Sequence, residues 1–184
     1  MKMLLTGASG AGTSTLGMAL ATALAMRHLD TDTYYWHPGD PPYQTRRLPT
    51  ERAARLIRDL QDAPRAVVSG SVLNWGVEVE DGFDLIVFLY VPPEVRVARL
   101  REREMRLFGR INPDFLAWAA QYDSGPPEGR SLQRHQAWLK QRRCPVRWID
   151  GDVPLDEALI SVRTWSQSQG VSVKRDIDSN PDVR

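Results

Sequence analysis

The chain has 184 residues, 42% of them hydrophobic and 26% charged, which are values typical of one globular domain with a sizeable core. Its formal net charge of +1 provides no overall attraction to nucleic acid or to a membrane surface, so neither is expected as a partner. No run of residues approaches the ~18 apolar residues of a membrane span. The single cysteine, Cys144, excludes an intrachain disulfide framework and fits a reducing compartment. We therefore expect a cytoplasmic protein that is a monomer or a homodimer.

Strands and helices are predicted to alternate along the chain. Short apolar runs predict strands at residues 3–6, 28–30, 66–70, 84–91 and 146–149. Helical spacing of apolar residues and helix-start signals predict helices at about 13–26, 50–60, 93–110, 131–142 and 155–165. The aromatic and proline-rich segment 34–49 is expected to be irregular, and the segment 109–129 is expected to be mixed.

The strand at residues 84–91 indicates how the sheet is covered. It is apolar on both faces, which is the pattern of a central parallel strand with helices on each side. Alternating strands and helices predict an α/β fold with a parallel sheet. One domain is expected over residues 1–165, and the polar, unpatterned residues 166–184 are expected to form a disordered tail.

The most informative motif lies between the first strand and the first helix. Gly7, Gly12 and Ser14 fit the phosphate-loop pattern G-x-x-x-x-G-K-[ST], but Thr13 stands where the lysine belongs. Glycines let the main chain approach a phosphate, and the helix that follows directs its positive end at the same place. The hydroxyl of Ser14 is at the position that ligates Mg²⁺. The expected nucleotide-binding residues of this loop are Gly7, Ser9, Gly10, Ala11, Gly12, Thr13, Ser14 and Thr15.

Asp30 and Asp32 form a second constellation, and Asp30 follows Thr13 of the loop by 17 residues. Two carboxylates at positions i and i+2 on a strand end share a face. One of them could hold Mg²⁺ while the other takes a proton from an attacking hydroxyl. A solvated acidic turn is the alternative by residue type alone. Position favours the functional interpretation, because the carboxyl ends of parallel strands meet the phosphate loop.

The run from residue 12 to residue 32 resembles the opening of the shikimate kinases and their relatives among the nucleoside monophosphate kinases. The resemblance implies a three-layer P-loop NTPase fold with a small lid, ATP and Mg²⁺ as cofactors, and a small-molecule acceptor. It implies that Asp30 helps to hold Mg²⁺, together with Ser14, and that Asp32 contacts the acceptor hydroxyl. The loop after the third strand is similar to the acceptor-binding loop of those kinases and consists of Ser69, Gly70 and Ser71.

An arginine-rich helix, with Arg99 and Arg103 on it, resembles the arm and lid of adenylate kinases. The resemblance implies a lid at about residues 106–130. A solvated helix face remains the alternative for each single arginine. The segment 150–154 is similar to the family loop that packs on the adenine ring, so Gly151 is expected in the nucleotide site. The expected catalytic residues are Asp32, Arg106, Arg110, Arg130 and Arg134.

The segment after the acidic pair carries aromatic and basic residues. Tyr35 and Trp36 could stack on a base or sugar face of the acceptor, and Arg46 and Arg47 could clamp an anionic group on it. A hydrophobic hinge that packs against the domain is the alternative for this segment.

Thr13 leaves two functions open. In phosphoryl transfer the loop lysine neutralises charge on the β and γ phosphates, and losing one such donor commonly costs about 3–4 kcal/mol of barrier. Arginines of the lid are expected to offset that loss. The sequence therefore predicts an ATP-dependent phosphotransferase that acts on a small hydroxyl- or phosphate-bearing acceptor. The alternative is a non-catalytic nucleotide sensor with the same fold. Nucleic-acid binding through the arginine helix is disfavoured, because Glu102 and Glu104 interrupt its basic face.

Overall fold

A computed structural model describes residues 1–125 and 130–169 of the chain. These residues form a parallel five-stranded sheet with the strand order β2-β3-β1-β4-β5. All five predicted strands are present, and the α/β fold class with a parallel sheet is confirmed. The strands are β1 (Lys2–Gly7), β2 (Arg27–Asp30), β3 (Ala66–Ser69), β4 (Leu85–Tyr90) and β5 (Val146–Asp150).

Helices connect the strands, as the alternating pattern predicts. The helices of the described residues are α1 (Thr13–Ala23), α2 (Thr31–Tyr35), α3 (Pro49–Asp62), α4 (Val77–Glu80), α5 (Pro93–Phe108), α6 (Pro113–Ala120), α7 (Leu132–Leu139) and α8 (Leu155–Ser168). Three of them, α2, α4 and α6, were not predicted. α2 and α4 have five and four residues, too few to show a helical period. α6 does carry a start signal, because the Asn112 side chain caps it and Pro113 follows.

The last helix extends beyond its predicted end at about residue 165. Residues 166–168 were expected to belong to the tail, but they complete α8, and the Ser166 side chain is buried against the protein. The rest of the expected tail, residues 170–184, lies outside the described residues.

The hydrophobic core lies on both faces of the sheet. Side chains of β4 alternate between the two faces because successive residues of a strand point in opposite directions. Ile86 and Phe88 pack with apolar residues of α3 and α7, whereas Leu85, Val87 and Leu89 pack with residues of α1 and α8. The result is three layers, with the sheet between two sets of helices, as expected for β4 from its apolar sequence.

The carboxyl ends of the strands bring the sequence motifs together. Leu5 of β1 and Asp30 of β2 are both level with Ser69 of β3 in the parallel register. The phosphate loop, the acidic pair and the loop that follows β3 therefore leave the sheet at the same edge. In open α/β sheets this edge is where ligands bind.

A buried arginine joins the elements around this edge. The Arg96 side chain on α5 is inaccessible to solvent, and its guanidinium donates to the carbonyl oxygens of Val91 at 2.8 Å and Ala119 at 3.1 Å. It also pairs with the Asp123 carboxylate at 2.7 Å and reaches the Ser9 carbonyl oxygen at 3.5 Å. One charged group thus connects the end of β4, the C-terminus of α6 and the phosphate loop. A buried charge requires such partners, because an unpaired one is costly.

Replacing Arg96 is expected to destabilise the fold. Arg96→Met removes the cation that pairs with the Asp123 carboxylate and the donor to the buried carbonyls of Val91 and Ala119, so we expect a loss of about 3–5 kcal/mol in the free energy of unfolding. Arg99→Met on the same helix is the matched control, because Arg99 pairs with Asp152 at the surface, where such a pair contributes at most about 1 kcal/mol. Urea unfolding of both variants measures the difference, and equal losses would contradict the role of Arg96.

Candidate active site

A single continuous cleft of about 1610 Å³ lies at the carboxyl edge of the sheet. Pockets for one drug-sized ligand usually have 300–1,000 Å³, so this cleft has room for two small molecules side by side. Most of the expected site residues line it: Ser9, Gly10, Thr13, Ser14, Asp30, Asp32, Tyr35, Trp36, Arg46, Gly70, Ser71, Arg110, Arg130 and Arg134.

The phosphate loop has a backbone that glycine makes possible. Gly12 precedes α1 with a φ of 90°, a left-handed conformation that residues with a side chain rarely adopt. Gly10 has a φ of 83°, and a Cβ there would lie 2.7 Å from the Arg96 carbonyl oxygen. No side chain of the described residues caps the N-terminus of α1, so its first main-chain N–H groups are available to a ligand at the cleft. Such a helix start favours an anion such as phosphate.

Ser14 and Asp30 are held together across the base of the cleft. The Ser14 hydroxyl donates to Asp30 Oδ2 at 2.7 Å, and Asp30 Oδ1 accepts the main-chain N–H of Asp32 at 2.9 Å. The second contact makes Asp30 the N-cap of α2. Asp30 therefore ends β2 while Asp32 lies in the first turn of α2, so the expectation that both carboxylates share one strand face was wrong. The helical turn nevertheless keeps both of them in the cleft.

The oxygen atoms of this group fit a magnesium ion that also binds a nucleotide. Mg²⁺ prefers oxygen ligands and is usually held by one or two carboxylates together with substrate phosphates. Ser14 offers a hydroxyl and Asp30 a carboxylate within hydrogen-bond distance of each other. In residues 1–125 and 130–169, no group of three or more His, Cys, Asp or Glu side chains is arranged to hold a metal by itself. Phosphate oxygens would have to complete the coordination.

Asp32 lies where its surroundings disfavour the charged form of its carboxyl group. Burial against the cleft wall raises its pKa above the ordinary value, and the nearby charge of Asp30 raises it further. The guanidinium groups of Arg130 and Arg103 oppose this shift. The side chain still reaches solvent, because the cleft is open. A carboxylate in such a position is a stronger proton acceptor than an ordinary one.

The raised pKa of Asp32 predicts a stability gain on neutralisation. A carboxyl group whose pKa is higher in the folded state favours folding at low pH, and that contribution is lost as pH rises through the folded-state pKa. Asp32→Asn should therefore raise the Tm at pH 7 and have little effect near pH 3. Asp40→Asn, at an exposed carboxyl group of the same cleft, is the control. The measurement is thermal unfolding without nucleotide or divalent cations, and a lower Tm of Asp32→Asn at pH 7 would contradict the shift.

Arg130 reaches the phosphate loop from the opposite side of the cleft. Its Nη2 donates to the Gly7 carbonyl oxygen at 2.8 Å, although the two residues are 123 positions apart. Burial lowers the pKa of its guanidinium, and the charge of Asp32 partly restores it. The buried Nε has no hydrogen-bond partner within the described part of the chain. Arg130 thus places a cation beside the loop that lacks its lysine.

Aromatic and basic side chains form a second region, which we call the aromatic–arginine wall: Tyr35, Trp36, Trp75, Arg46 and Arg52. The Arg52 guanidinium lies 4.7 Å from the ring centre of Tyr35 and 4.9 Å from that of Trp75. Arg46 lies 5.6 Å from the ring centre of Trp36. Neither arginine forms an ion pair with the described residues, and the buried Nε of Arg52 has no partner among them. Both charges are held by rings and remain available to a ligand.

Two expected arginines do not face the cleft. Arg47 is buried, with its guanidinium bonded to Glu51 at 2.9 Å and to the His37 ring at 3.0 Å, so it does not clamp an acceptor. Arg106 is exposed on α5 and is absent from the cleft lining, whereas Arg103 is part of it. Seven residues separate Arg103 from the buried Arg96, which puts both on one helix face at about 100° per residue. That spacing selects Arg103 only once the burial of Arg96 is known, which the structure shows and the sequence does not.

Three other expected site residues do not line the cleft and instead make contacts within the protein. Ser69 is fully buried, and its hydroxyl lies 2.9 Å from the His28 ring. Gly151 does not line the cleft, and its N–H donates to the Tyr90 carbonyl oxygen at 3.0 Å. Gly7 contributes its carbonyl to Arg130 rather than a free N–H. Lys140 lines a different surface groove, so it does not replace the missing lysine of the phosphate loop.

Comparison with known structures identifies the class of fold. The chain resembles the shikimate kinase of Acinetobacter baumannii in complex with shikimate, with a TM-score of 0.59 and 16% identity over 93% of this chain and 95% of that one. A gluconokinase from Sinorhizobium meliloti 1021 matches with a TM-score of 0.55 and 19% identity, over 92% of this chain and 95% of that one. The deoxyadenosine kinase of M. mycoides with bound dATP matches with a TM-score of 0.59 and 12% identity, over 91% of this chain and 100% of that one. The chain therefore shares the P-loop α/β fold of these three kinases.

Sequence comparison gives the family. Residues 3–109 match the AAA domain family, and the chain belongs to it. A relative in Bacillus subtilis (strain 168), the uncharacterized protein YqaC, is 39% identical over 172 residues, which are 88% of this chain and 95% of that protein. Within the described residues, none of the helices has the length and apolar character needed to cross a membrane.

Proposed function

We propose that this protein binds ATP with Mg²⁺ and transfers the γ-phosphoryl group to a small acceptor that carries an anionic group. The observation that carries this proposal is the hydrogen-bonded Ser14–Asp30 pair at the phosphate loop, with Asp32 beside it on the acceptor side. A phosphate-binding loop alone needs no such carboxylates. Their placement supports a phosphoryl transfer rather than binding alone.

The nucleotide would bind with its phosphates at the start of α1. The free N–H groups of the first turn and the glycine loop provide donors for the β and γ phosphates. Ser14 and Asp30 would hold Mg²⁺, which supplies charge neutralisation on the phosphates when it is bound. Arg130 would take over the electrostatic role of the lysine, because it is the buried cation at Gly7.

Asp32 would orient the acceptor. Its main-chain N–H contacts Asp30 of the proposed Mg²⁺-binding pair, and it lines the same cleft as the phosphate loop and the aromatic–arginine wall. An acceptor hydroxyl that donates to its carboxylate would be directed towards the γ phosphate and could pass its proton to Asp32 as the new bond forms. The raised pKa of the carboxyl group favours that proton transfer.

The proposal is tested by nucleotide binding followed by an acceptor screen. Calorimetry with Mg²⁺ and ATP on the natural protein and on Thr13→Lys should show binding to both, in the micromolar range for the natural protein. ADP release is then measured with shikimate, gluconate, deoxyadenosine and AMP as acceptors, two of them anionic sugars or acids, one neutral and one a nucleotide. Binding that appears only after lysine is restored, or no transfer to any acceptor by either form, would contradict the proposal.

Arg130 should be required for turnover. Arg130→Met removes the cation at the phosphate loop, so we expect kcat to fall by about two to three decades with the best acceptor of the screen. Arg106→Met, an exposed arginine outside the cleft, should leave kcat within about twofold. Circular dichroism confirms that both variants are folded. Equal kcat values for the two variants would assign the missing cation to another residue.

Arg52 should select for an anion on the acceptor. Arg52→Met removes an unpaired guanidinium, and a hydrogen bond to a charged group is worth about 1.5–3 kcal/mol. We therefore expect KM for anionic acceptors to rise by roughly 10- to 100-fold, with KM for ATP unchanged. Arg58→Met on the same helix is the control, because that side chain is 65% exposed and outside the cleft. A similar KM increase for the neutral acceptor deoxyadenosine would argue against a charge-based role.

A nucleotide sensor without turnover is the second candidate, and Thr13 is the observation that favours it. The two functions differ in what they require of the acidic pair. Asp30→Ala and Asp32→Ala should abolish phosphoryl transfer by a kinase, whereas a sensor should bind ATP and show no transfer even in its natural form. The calorimetry and ADP measurements above separate the two outcomes.

A further inference from the structure

A buried histidine connects the cleft to a buried tyrosine that follows α6. His135 on α7 is inaccessible to solvent, and its Nε2 lies 3.0 Å from Ser71 Oγ, which lines the cleft. Its Nδ1 lies 2.5 Å from the Tyr122 hydroxyl, which is also buried. Ser71 Oγ is contacted in addition by the Leu73 N–H at 3.4 Å. Neither the phosphate loop nor the acidic pair takes part in this Ser71–His135–Tyr122 chain.

The direction of the hydrogen bonds in the Ser71–His135–Tyr122 chain follows from which of its buried groups would otherwise lack a partner. If His135 carried its proton on Nδ1, the Tyr122 oxygen would accept it, and the Tyr122 hydroxyl proton would have no acceptor in residues 1–125 and 130–169. A buried donor without a partner is costly. If the proton is on Nε2, Tyr122 donates to Nδ1 and Nε2–H donates to Ser71 Oγ, so every group is satisfied. The Ser71 oxygen then accepts from His135 Nε2–H and from the Leu73 N–H, and the Ser71 hydroxyl proton can be donated to a ligand in the cleft.

The same surroundings exclude His135 as the base of a serine nucleophile. Burial, and the nearby charge of Arg130, lower the pKa of His135 to about 3, so the ring is a weak base that stays neutral in the physiological range. Activation of a serine requires a base with a pKa near the working pH. Ser71 therefore remains a hydroxyl, and His135 acts as a fixed donor.

We propose that Ser71 is a substrate-contacting residue that donates its hydroxyl proton to an oxygen atom of the acceptor, and that His135 and Tyr122 are positioning residues that set this direction. The contact with the acceptor rests on the proposed function, whereas the protonation state of His135 does not. The loop geometry supports the placement. Gly70, just before Ser71, has a φ of 112°, and a Cβ there would lie 1.8 Å from Thr31 Oγ1, so the backbone that presents Ser71 is tightly constrained. An acceptor with a carbonyl, carboxylate, phosphate or ether oxygen at this point fits the site.

The first test is independent of catalysis. Long-range ¹H–¹⁵N correlation spectra of the full chain at pH 7 report the tautomer of each of the three histidines, and the signals of His135 are assigned by their loss in His135→Gln. We expect a neutral ring with the proton on Nε2, unchanged between pH 8 and pH 5. A proton on Nδ1, or a ring that titrates near pH 6.5, would overturn the proposal whether or not the protein is a kinase.

The second test separates positioning from structural support. Ser71→Ala and His135→Leu should each raise KM for the best acceptor of the screen by about 3- to 10-fold, the value of one neutral hydrogen bond, with KM for ATP unchanged. His135→Gln, whose amide N–H can replace Nε2–H, should restore KM to within about twofold of the natural value. Circular dichroism and Tm of each variant report folding. An unchanged acceptor KM in Ser71→Ala, or failure of the glutamine variant to restore KM while it remains folded, would overturn the proposal.

Discussion

The site depends on one buried charge that has to be neutralised. Arg96 of α5 lies at the junction of β4, α6 and the phosphate loop, and its guanidinium has partners directly after β4, on α6, directly after α6 and in the loop. Because an unpaired guanidinium could not be buried there, these elements can pack only in the arrangement that satisfies it. The same packing requires Gly10, since a side chain at that position would collide with the Arg96 main chain. The loop geometry and helix α6 are therefore linked through one residue.

Electrostatics divides the cleft into two regions with different partners. At the phosphate loop, Ser14, Asp30 and Asp32 bring hydroxyl and carboxylate oxygens together, and Arg130 places a guanidinium beside the loop in which Thr13 occupies the lysine position. In the aromatic–arginine wall, the guanidinium groups are held by ring faces rather than by carboxylates, which leaves their charge for a ligand. A donor nucleotide on one side and an anionic acceptor on the other would satisfy both regions. The Ser71–His135–Tyr122 chain adds a neutral hydrogen-bond donor, and so a directional element, between them.

Much of this could be predicted from local sequence. The five strands, the long helices and the phosphate loop follow from short-range spacing of apolar residues and glycines, and each is present where the pattern predicts it. The acidic pair was placed in the right region, but its geometry was not, because a five-residue helix such as α2 leaves no periodic signal. Four of the six arginines predicted for the site line the cleft, namely Arg46, Arg110, Arg130 and Arg134. Arg47 and Arg106 do not, whereas Arg52 and Arg103, which were not selected, do. Residue type alone does not distinguish these arginines, because which of them line the cleft depends on which face of each helix turns inward.

The sequence by itself determined the class of fold and the position of the phosphate loop, because strand and helix periods and the glycine pattern act over a few residues. Only the tertiary structure decided which side chains complete the site. Arg130 meets Gly7 across 123 positions, and Ser71 meets His135 across 64. Contacts of this kind arise where separate segments of the chain pack at the same sheet edge. No local pattern encodes them, since they depend on how distant segments pack and on the satisfaction of buried polar groups.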